Sequence, residues 1–510
     1  MSFQVRTLKD KPRRRWPWKS ILVTVLKIGG PLLAFYEQWR THEEEKQRKQ
    51  KRATVLKRVL MILLAVLCSL LLMVGVARAL IALKVITFSS FTTATGVPPP
   101  ADENGFTNIL LVGQGDKDHD GQDLTDTIIV ASLDPVKTKS VALLSLPRDL
   151  YFLQTEKMGK GKLNSLYRDY KILLKRKGMQ EADAAFESTR QLGMEVGKAL
   201  GVTIHGVVKV NFTAFKQAVD AIGGVDILVP SDIRDTEYPD ENYGFQTFEI
   251  KQGLQHLDGE TALKYARSRH TSSDFDRSAR QQQLLKAMGE KARAEGLEKD
   301  PRAITRLFGI FQQNVVTTFT LRELIGLAGI AKEIGTERVI STQLNDRNAL
   351  YDGFVEPGGF LYTPPRTQFD GAAVLLPVSI PEFPVTWKQI HAFTQLFFQQ
   401  RAVYLAHPSI AVLNAGGKSG LARRLATELI RYGFTVDTIA NASLKNEPTS
   451  FVTSTDTDEN LALFFATLLA MTDRKDAFAS LTSEEARPVT IILGKDFGYR
   501  PLQDFILPKE

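Results

Sequence analysis

The sequence predicts an α/β protein tethered to a membrane: an apolar helix near the N-terminus, a large α/β body and a small α/β unit at the C-terminal end. Three observations carry this. Residues 59–77, VLMILLAVLCSLLLMVGVA, run 19 positions without a charge, and with Leu80 to Leu83 beyond Arg78 the run is long enough to span a bilayer. From residue 106 to 402, short apolar runs bounded by turn signals alternate with helical segments. Residues 410–439 then read strand, helix, strand, the βαβ pattern.

The N-terminal region divides by charge. The chain of 510 residues carries a formal net charge of +8. Residues 1–58 hold 16 Lys and Arg against 5 Asp and Glu, or +11, which leaves −3 for the remainder. The basic excess therefore belongs to the tail and does not mark the body as a nucleic-acid binder. Arg48, Lys49, Lys51, Arg52, Lys57 and Arg58 precede the apolar run, so the positive-inside rule puts the N-terminus in the cytoplasm and the body outside. The expected location is the cell membrane, single-pass, with the body extracellular or periplasmic. A cleaved signal peptide does not fit a run that starts after 58 residues. This gives a basic tail over 1–58, a transmembrane helix over 59–83 and a linker over 84–105 with Pro98-Pro99-Pro100 in it. The single cysteine, Cys68, lies in the apolar run, which rules out an intrachain disulfide and a Cys-based metal site.

In the body, Asn108 to Gly113 (NILLVG), Thr127 to Leu133 (TIIVASL) and Val141 to Leu146 read as buried strands, with Asp134-Pro135 turning the second into the third. Pro147-Arg148-Asp149 ends the third strand, where open α/β sheets gather their ligands. The acidic loop Asp116 to Asp126 (DKDHDGQDLTD) starts like a calcium loop, but Thr127 stands where the bidentate Glu belongs and strands flank it. An oxygen-ligand site for Mg²⁺, or a solvated acidic turn, fits it better. Helical sequence follows through Gly201, then strands at Lys209 to Phe212 and Val225 to Val229. Thr320-Leu321-Arg322-Glu323 and Thr386-Trp387-Lys388-Gln389 each read as a capping box. Gly417-Lys418-Ser419 lacks the first glycine of a P-loop, since Val412 occupies its place. The histidines show no metal spacing, and no Gly-x-Ser-x-Gly elbow is present.

The densest concentration of chemistry lies in Ala262 to Gln283, ALKYARSRHTSSDFDRSARQQQ. Arg267 and Arg269 would share one face of a strand. Arg277 and Gln281, four apart, would share one face of a helix, for which Ser272, Ser273 and Asp274 are N-cap candidates. The expected arrangement is a strand ending in two arginines, a turn, and a helix start pointing back at them. Guanidinium forks and free helix N–H groups both favour phosphate. A salt-bridged surface helix is the alternative, and Arg280 is expected to be solvent-facing or structural.

Taken in order, Asn108 to Gly113, Thr125-Asp126-Thr127, Pro147-Arg148-Asp149, Lys162-Leu163-Asn164, Val210-Asn211-Phe212, Asp220 to Asp226 (DAIGGVD), Leu257-Asp258-Gly259 and the arginine stretch resemble the LytR–CpsA–Psr family over residues 105–400. The tail, with Val412 to Ala415 and Gly420-Leu421-Ala422, resembles the LytR C-terminal domain. The resemblance implies a three-layer α/β/α domain with a mixed central sheet over 106–402 and a small α/β domain over 408–500. It implies a phosphotransferase that moves a glycopolymer from a polyprenyl-pyrophosphate carrier to peptidoglycan or another wall acceptor. Arg148, Arg267, Arg269 and Arg277 would grip the pyrophosphate with Gln281 in support, and Asp126 would hold Mg²⁺ through the substrate phosphates. Asp274 would orient an arginine or assist proton transfer, and an apolar pocket beneath the sheet would take the lipid. Two positions depart from the family: Leu124 replaces its arginine, and Asp116, the matching second metal ligand, stands one place late. A non-catalytic scaffold that binds polyprenyl phosphates or wall polymers is the alternative.

Overall fold

A computed structural model describes residues 96–116, 123–240, 244–268, 274–295, 307, 309–311, 314–346, 359–377 and 385–507. The apolar run 59–83 lies outside them, and among the described residues no helix is long and apolar enough to cross a membrane.

Strands β1 (Thr107–Gln114), β2 (Thr125–Asp134) and β3 (Ser140–Ser145) form an antiparallel meander. The Asp134 carboxylate closes the β2–β3 turn by accepting from the amides of Val136, Lys137 and Thr138. Helices α1 (Leu163–Arg176) and α2 (Glu181–Leu200) lead to β4 (Gly206–Asn211), which pairs parallel to β1. Next come α3 (Phe212–Ala221), β5 (Val225–Val229), the hairpin β6 (Ile233–Pro239) and β7 (Phe245–Ile250), and β8 (Gly253–Leu257), antiparallel to β5. Helices α4 (Gly259–Arg267) and α5 (Asp274–Ala294) follow, then β9 (Val315–Thr317), α6 (Leu321–Glu333) and β10 (Val339–Gln343). The sheet order is β9-β4-β1-β2-β3-β10, a mixed sheet in which β9 runs antiparallel to β4 and β10 parallel to β3.

Both faces of this sheet are covered. Leu110, Val112, Ile128, Val130 and Leu144 pack with Leu166, Tyr167, Leu192 and Val196 of α1 and α2. Ile109, Ile129, Ala131 and Leu143 on the opposite face meet Leu285 of α5 and Leu324 and Leu327 of α6. Burial of alternate residues on both faces explains why the strands read as unbroken apolar runs.

A second sheet is made of β11 (Ser409–Asn414), β12 (Thr435–Asn441), β13 (Phe451–Ser454), β14 (Thr472–Asp473) and β15 (Val489–Leu493), in the order β12-β11-β15-β13-β14. The stretch β11–helix–β12 is the parallel βαβ unit read from the sequence, with its helix at Leu421–Arg431. The two sheets share no strand, but one apolar core runs between them. An aromatic series carries it: Phe393 stacks on Phe397 (5.6 Å), which meets Tyr404 edge-on (5.1 Å), and Tyr404 stacks on Phe434 (5.0 Å).

Three local expectations need correcting. The segment leading to Arg267 is helix α4 rather than a strand, because the Asp258 side chain caps it by accepting from the Thr261 amide (2.8 Å). Its residues Ala262, Leu263 and Ala266 then fall at helical spacing on the buried side. Strand β4 stops at Asn211, whose side chain accepts from the Ala214 amide and starts α3 at Phe212. The capping box at Thr320 and Glu323 forms, whereas the second expected box does not. The helix Lys388–Gln399 has Trp387 at its cap position without a side-chain cap bond, and Thr386 Oγ1 accepts from the Lys388 amide.

Candidate functional site

The ends of β1, β3 and β4 and the start of β2 lie along one edge of the main sheet. There the β1–β2 register slips: Gly113 faces Thr127 and Gln114 faces Thr125, so Asp126 has no partner across the ladder. A bulge of this kind re-aims a side chain out of the strand's alternation. The Asp126 carboxylate meets Arg148, Nη1 to Oδ1 at 3.2 Å. Asp149 lies 3.6 Å from Arg148 Nε through one oxygen and 2.7 Å from Lys162 Nζ through the other. The Asn164 amide donates to the Arg148 carbonyl (3.1 Å), and Thr125 Oγ1 donates to the Asn164 carbonyl (3.3 Å). Three separated motifs thus form one hydrogen-bonded unit at the strand ends.

The arginine stretch supplies the second group. Arg267 ends α4, its guanidinium 4.3 Å from the Phe212 ring centroid, and its Nη1 donates to Tyr238 Oη at 3.1 Å. Arg277 is buried in α5, at 4% exposure. Arg280 is also buried and is structural: its Nε donates to the Tyr265 carbonyl (2.9 Å) and its Nη2 to the Ser268 carbonyl, pinning the end of α4 against α5. Burial lowers its pKa below the usual arginine value. Gln281 Nε2 donates to the Ala266 carbonyl (3.3 Å). The next two glutamines brace α5, Gln282 to Ser145 and Thr342, and Gln283 to Tyr265 and Leu228. Arg269, Ser272 and Ser273 lie outside the described residues; Asp274 is the first residue of α5, and its side chain also lies outside them.

A cavity of about 410 Å³ lies between the sheet and α3, α4 and α5. Its walls are apolar, with Leu111, Ile129, Val208 and Val210 from the sheet and Phe215, Leu284 and Met288 from the helices. The polar residues among its lining are Thr127, Asn211, Arg267 and Gln281. Thr127 follows Asp126 in the bulge and Asn211 ends β4, so the cavity reaches the same strand ends as the Asp126–Arg148 pair. An amphiphile with an anionic head and an apolar tail matches this distribution.

The metal question turns on the carboxylates. Among the described residues no three His, Cys, Asp or Glu side chains converge to hold an ion. Asp116 accepts from the Thr213 amide (3.1 Å) and Thr213 Oγ1 (2.9 Å), so both its oxygens serve the first turn of α3. Asp126, set out by the bulge beside Arg148, fits the sparse pattern in which Mg²⁺ is held by one or two carboxylates and the substrate's own phosphates. Asp118 and Asp120 lie outside the described residues.

Behind the edge a polar chain that no motif announced runs from buried Lys209 to exposed Glu181. Lys209 of β4 donates to Gln114 Oε1 and sits 4.6 Å from the Tyr167 ring centroid. Gln114 Nε2 donates to Asp123, Asp123 pairs with Lys171 (2.7 Å), and Lys171 pairs with Glu181 (2.6 Å). Burial pushes the Lys209 ammonium down to about 8, while Lys171 and Lys175 hold Glu181 down to about 2. In the sequence, Lys209 was one cation inside a strand; only its neighbours from α1 and β1 give it a role.

The fold and this edge define a mixed α/β domain with a cation-bordered apolar cavity. The LytR_cpsA_psr family model matches residues 84–359, more than half of the chain, and the chain belongs to that family. The model for the LytR cell envelope-related transcriptional attenuator domain matches residues 408–497. Two similar curated proteins are polyisoprenyl-teichoic acid–peptidoglycan teichoic acid transferases. TagU of Bacillus cereus is 30% identical over 223 residues, 43% of this chain and 62% of that protein. TagV of Bacillus subtilis is 31% identical over 248 residues, 46% of this chain and 57% of that protein. The chain thus spans about three fifths of the length of these relatives. Among solved structures, Bacillus subtilis TagV covers 58% of this chain and 98% of its own at 22% identity and a TM-score of 0.40. TagT bound to LI-WTA covers 59% and 93% at 21% identity and the same score.

Proposed function

We propose that this protein is a membrane-anchored phosphotransferase that moves a glycopolymer from a polyprenyl-pyrophosphate carrier to a hydroxyl of peptidoglycan or another wall acceptor. One observation carries the reading: Arg267 borders an apolar cavity that reaches the strand ends holding Asp126 and Arg148. The names of TagU and TagV, transferases between polyisoprenyl-linked teichoic acid and peptidoglycan, support it. The apolar run 59–83 behind a basic tail supports the anchor and an external body.

In this reading the cavity holds the isoprenoid next to the head group, and Arg148, Arg267, Arg269 and Arg277 neutralise the pyrophosphate, with Gln281 in support. Asp126 would hold Mg²⁺ together with the substrate phosphates, where the ion would offset charge on the phosphoryl oxygens. The acceptor hydroxyl attacks the phosphorus that bears the glycan. A new P–O bond forms, the bridging P–O bond of the pyrophosphate breaks, and polyprenyl monophosphate leaves. The hydroxyl gives up its proton, for which Asp274 is the proposed aid. Phosphoryl transfer of this kind needs positioning and charge neutralisation rather than a protein nucleophile.

Leu124, in place of the family arginine, favours a second reading: a non-catalytic scaffold that binds the same lipid. Reconstituted full-length protein with a polyprenyl-pyrophosphate-linked glycan, peptidoglycan as acceptor and Mg²⁺ separates the two. The transferase reading expects released polyprenyl monophosphate, abolished by Asp126→Ala; binding without release supports the scaffold.

A further inference from the structure

Arg267 is held between two aromatic rings contributed by elements far from it in sequence. Its guanidinium lies 4.3 Å from the Phe212 ring centroid and 5.3 Å from that of Tyr238. Tyr238 Oη accepts from Arg267 Nη1 at 3.1 Å. Both rings are themselves fixed. Phe212 is the first residue of α3, whose opening turn is tied by Asn211 to the Ala214 amide and by Asp116 to Thr213. Tyr238 is buried on β6 against Phe248 (6.0 Å), and two buried side chains, Ser268 and Asp235, join β6 to the residue after Arg267 at 2.8 Å. A long side chain that must meet a phosphate loses rotamer freedom on binding. Here the rings and the hydroxyl restrict it beforehand, and planar guanidinium suits such stacking in a way that an ammonium does not.

We propose that Phe212 and Tyr238 are positioning residues that clamp Arg267 for the pyrophosphate head group. The inference rests on the phosphotransferase reading of the same site and adds two residues that act through Arg267, of which Phe212 also lines the cavity.

The test uses the full-length protein in detergent with geranylgeranyl pyrophosphate as the probe, its Kd measured by titration calorimetry. Tyr238→Leu is expected to weaken binding on the order of tenfold, and Tyr238→Phe, which keeps the ring, by no more than about threefold. Phe212→Leu should weaken binding at least as much, because Phe212 also lines the cavity, and it serves if Tyr238→Leu does not fold. The deciding measurement is a double-mutant cycle. In an Arg267→Met background, Tyr238→Leu should add nothing further and Phe212→Leu only the smaller share owed to the cavity wall, since the residue they position is gone. Equal losses in both backgrounds overturn the clamp and leave the function standing. Wild-type protein that does not bind the probe overturns the function reading itself, whatever the variants do.

Discussion

Replacing Lys209 by methionine is expected to change stability in a pH-dependent way that can be worked out from its surroundings. Lys209 is 7% exposed, bonded to Gln114 Oε1 and stacked on Tyr167. Burial lowers its pKa from 10.5 to about 8; Asp123 and Glu181 oppose the fall and Lys171 adds to it. That drop corresponds to about 3 kcal/mol of destabilisation when the ammonium is charged. Below pH 8 both folded and unfolded chains keep the proton, so the folded state carries the full cost. Between pH 8 and 10.5 the folded chain has released the proton and the unfolded chain has not, so this contribution to stability rises with pH. Lys209→Met removes the cost but leaves Gln114 Oε1 without its donor, worth about 1–3 kcal/mol. The variant should therefore be about as stable as wild type at pH 7 and less stable at pH 10. The gap between the two proteins is expected to widen by about 2–3 kcal/mol over that range. Urea unfolding followed by tryptophan fluorescence at pH 7, 8.5 and 10 reads it, and groups common to both proteins cancel in the difference. A gap that stays constant with pH would show that Lys209 keeps an ordinary pKa and would refute the reasoning.

Two further outcomes are expected. Asp116→Asn keeps an acceptor for the Thr213 amide and should retain transfer activity within about threefold, whereas loss of a metal ligand or its support costs about 10–100-fold and is partly recovered by raised Mg²⁺. Arg401→Met should destabilise the protein by about 3–5 kcal/mol in thermal unfolding, because the guanidinium donates to the carbonyls of Phe398, Ser132 and Ser140 and stacks on Phe106; a change below about 1 kcal/mol would show that water or neighbouring donors take its place.

What the sequence disclosed followed from periodicity and local chemistry. The three strands of the meander were legible because burial on both faces makes each an unbroken apolar run, and the observed spans differ from the expected ones by a residue or two at the ends. The Thr320 capping box was legible because all its parts lie within one turn. The strand expected before Arg267 does not form because Asp258 is a cap that commits the following residues to a helix. In the site, Asp126 and Arg148 came from ordered motifs, and the structure brings them into contact. Tyr238 was not legible, since it reaches Arg267 from 29 residues away on a strand with no motif. Arg401 is a stronger case, since its partner Ser132 is 269 residues distant. Side chains whose roles depend on such partners carry no local signature.

The central claim is that this site transfers a phosphoryl-linked glycan rather than only binding its carrier. It is tested most directly by isolating the acceptor. Full-length protein, incubated with Mg²⁺, a polyprenyl-pyrophosphate-linked glycan and peptidoglycan, is followed by enzymatic digestion of the wall and mass spectrometry of the fragments. The account predicts a phosphodiester joining glycan to wall sugar, formed together with polyprenyl monophosphate and lost in Asp126→Ala and Arg267→Met. Wall fragments without that linkage, from protein that still binds the lipid, would contradict it.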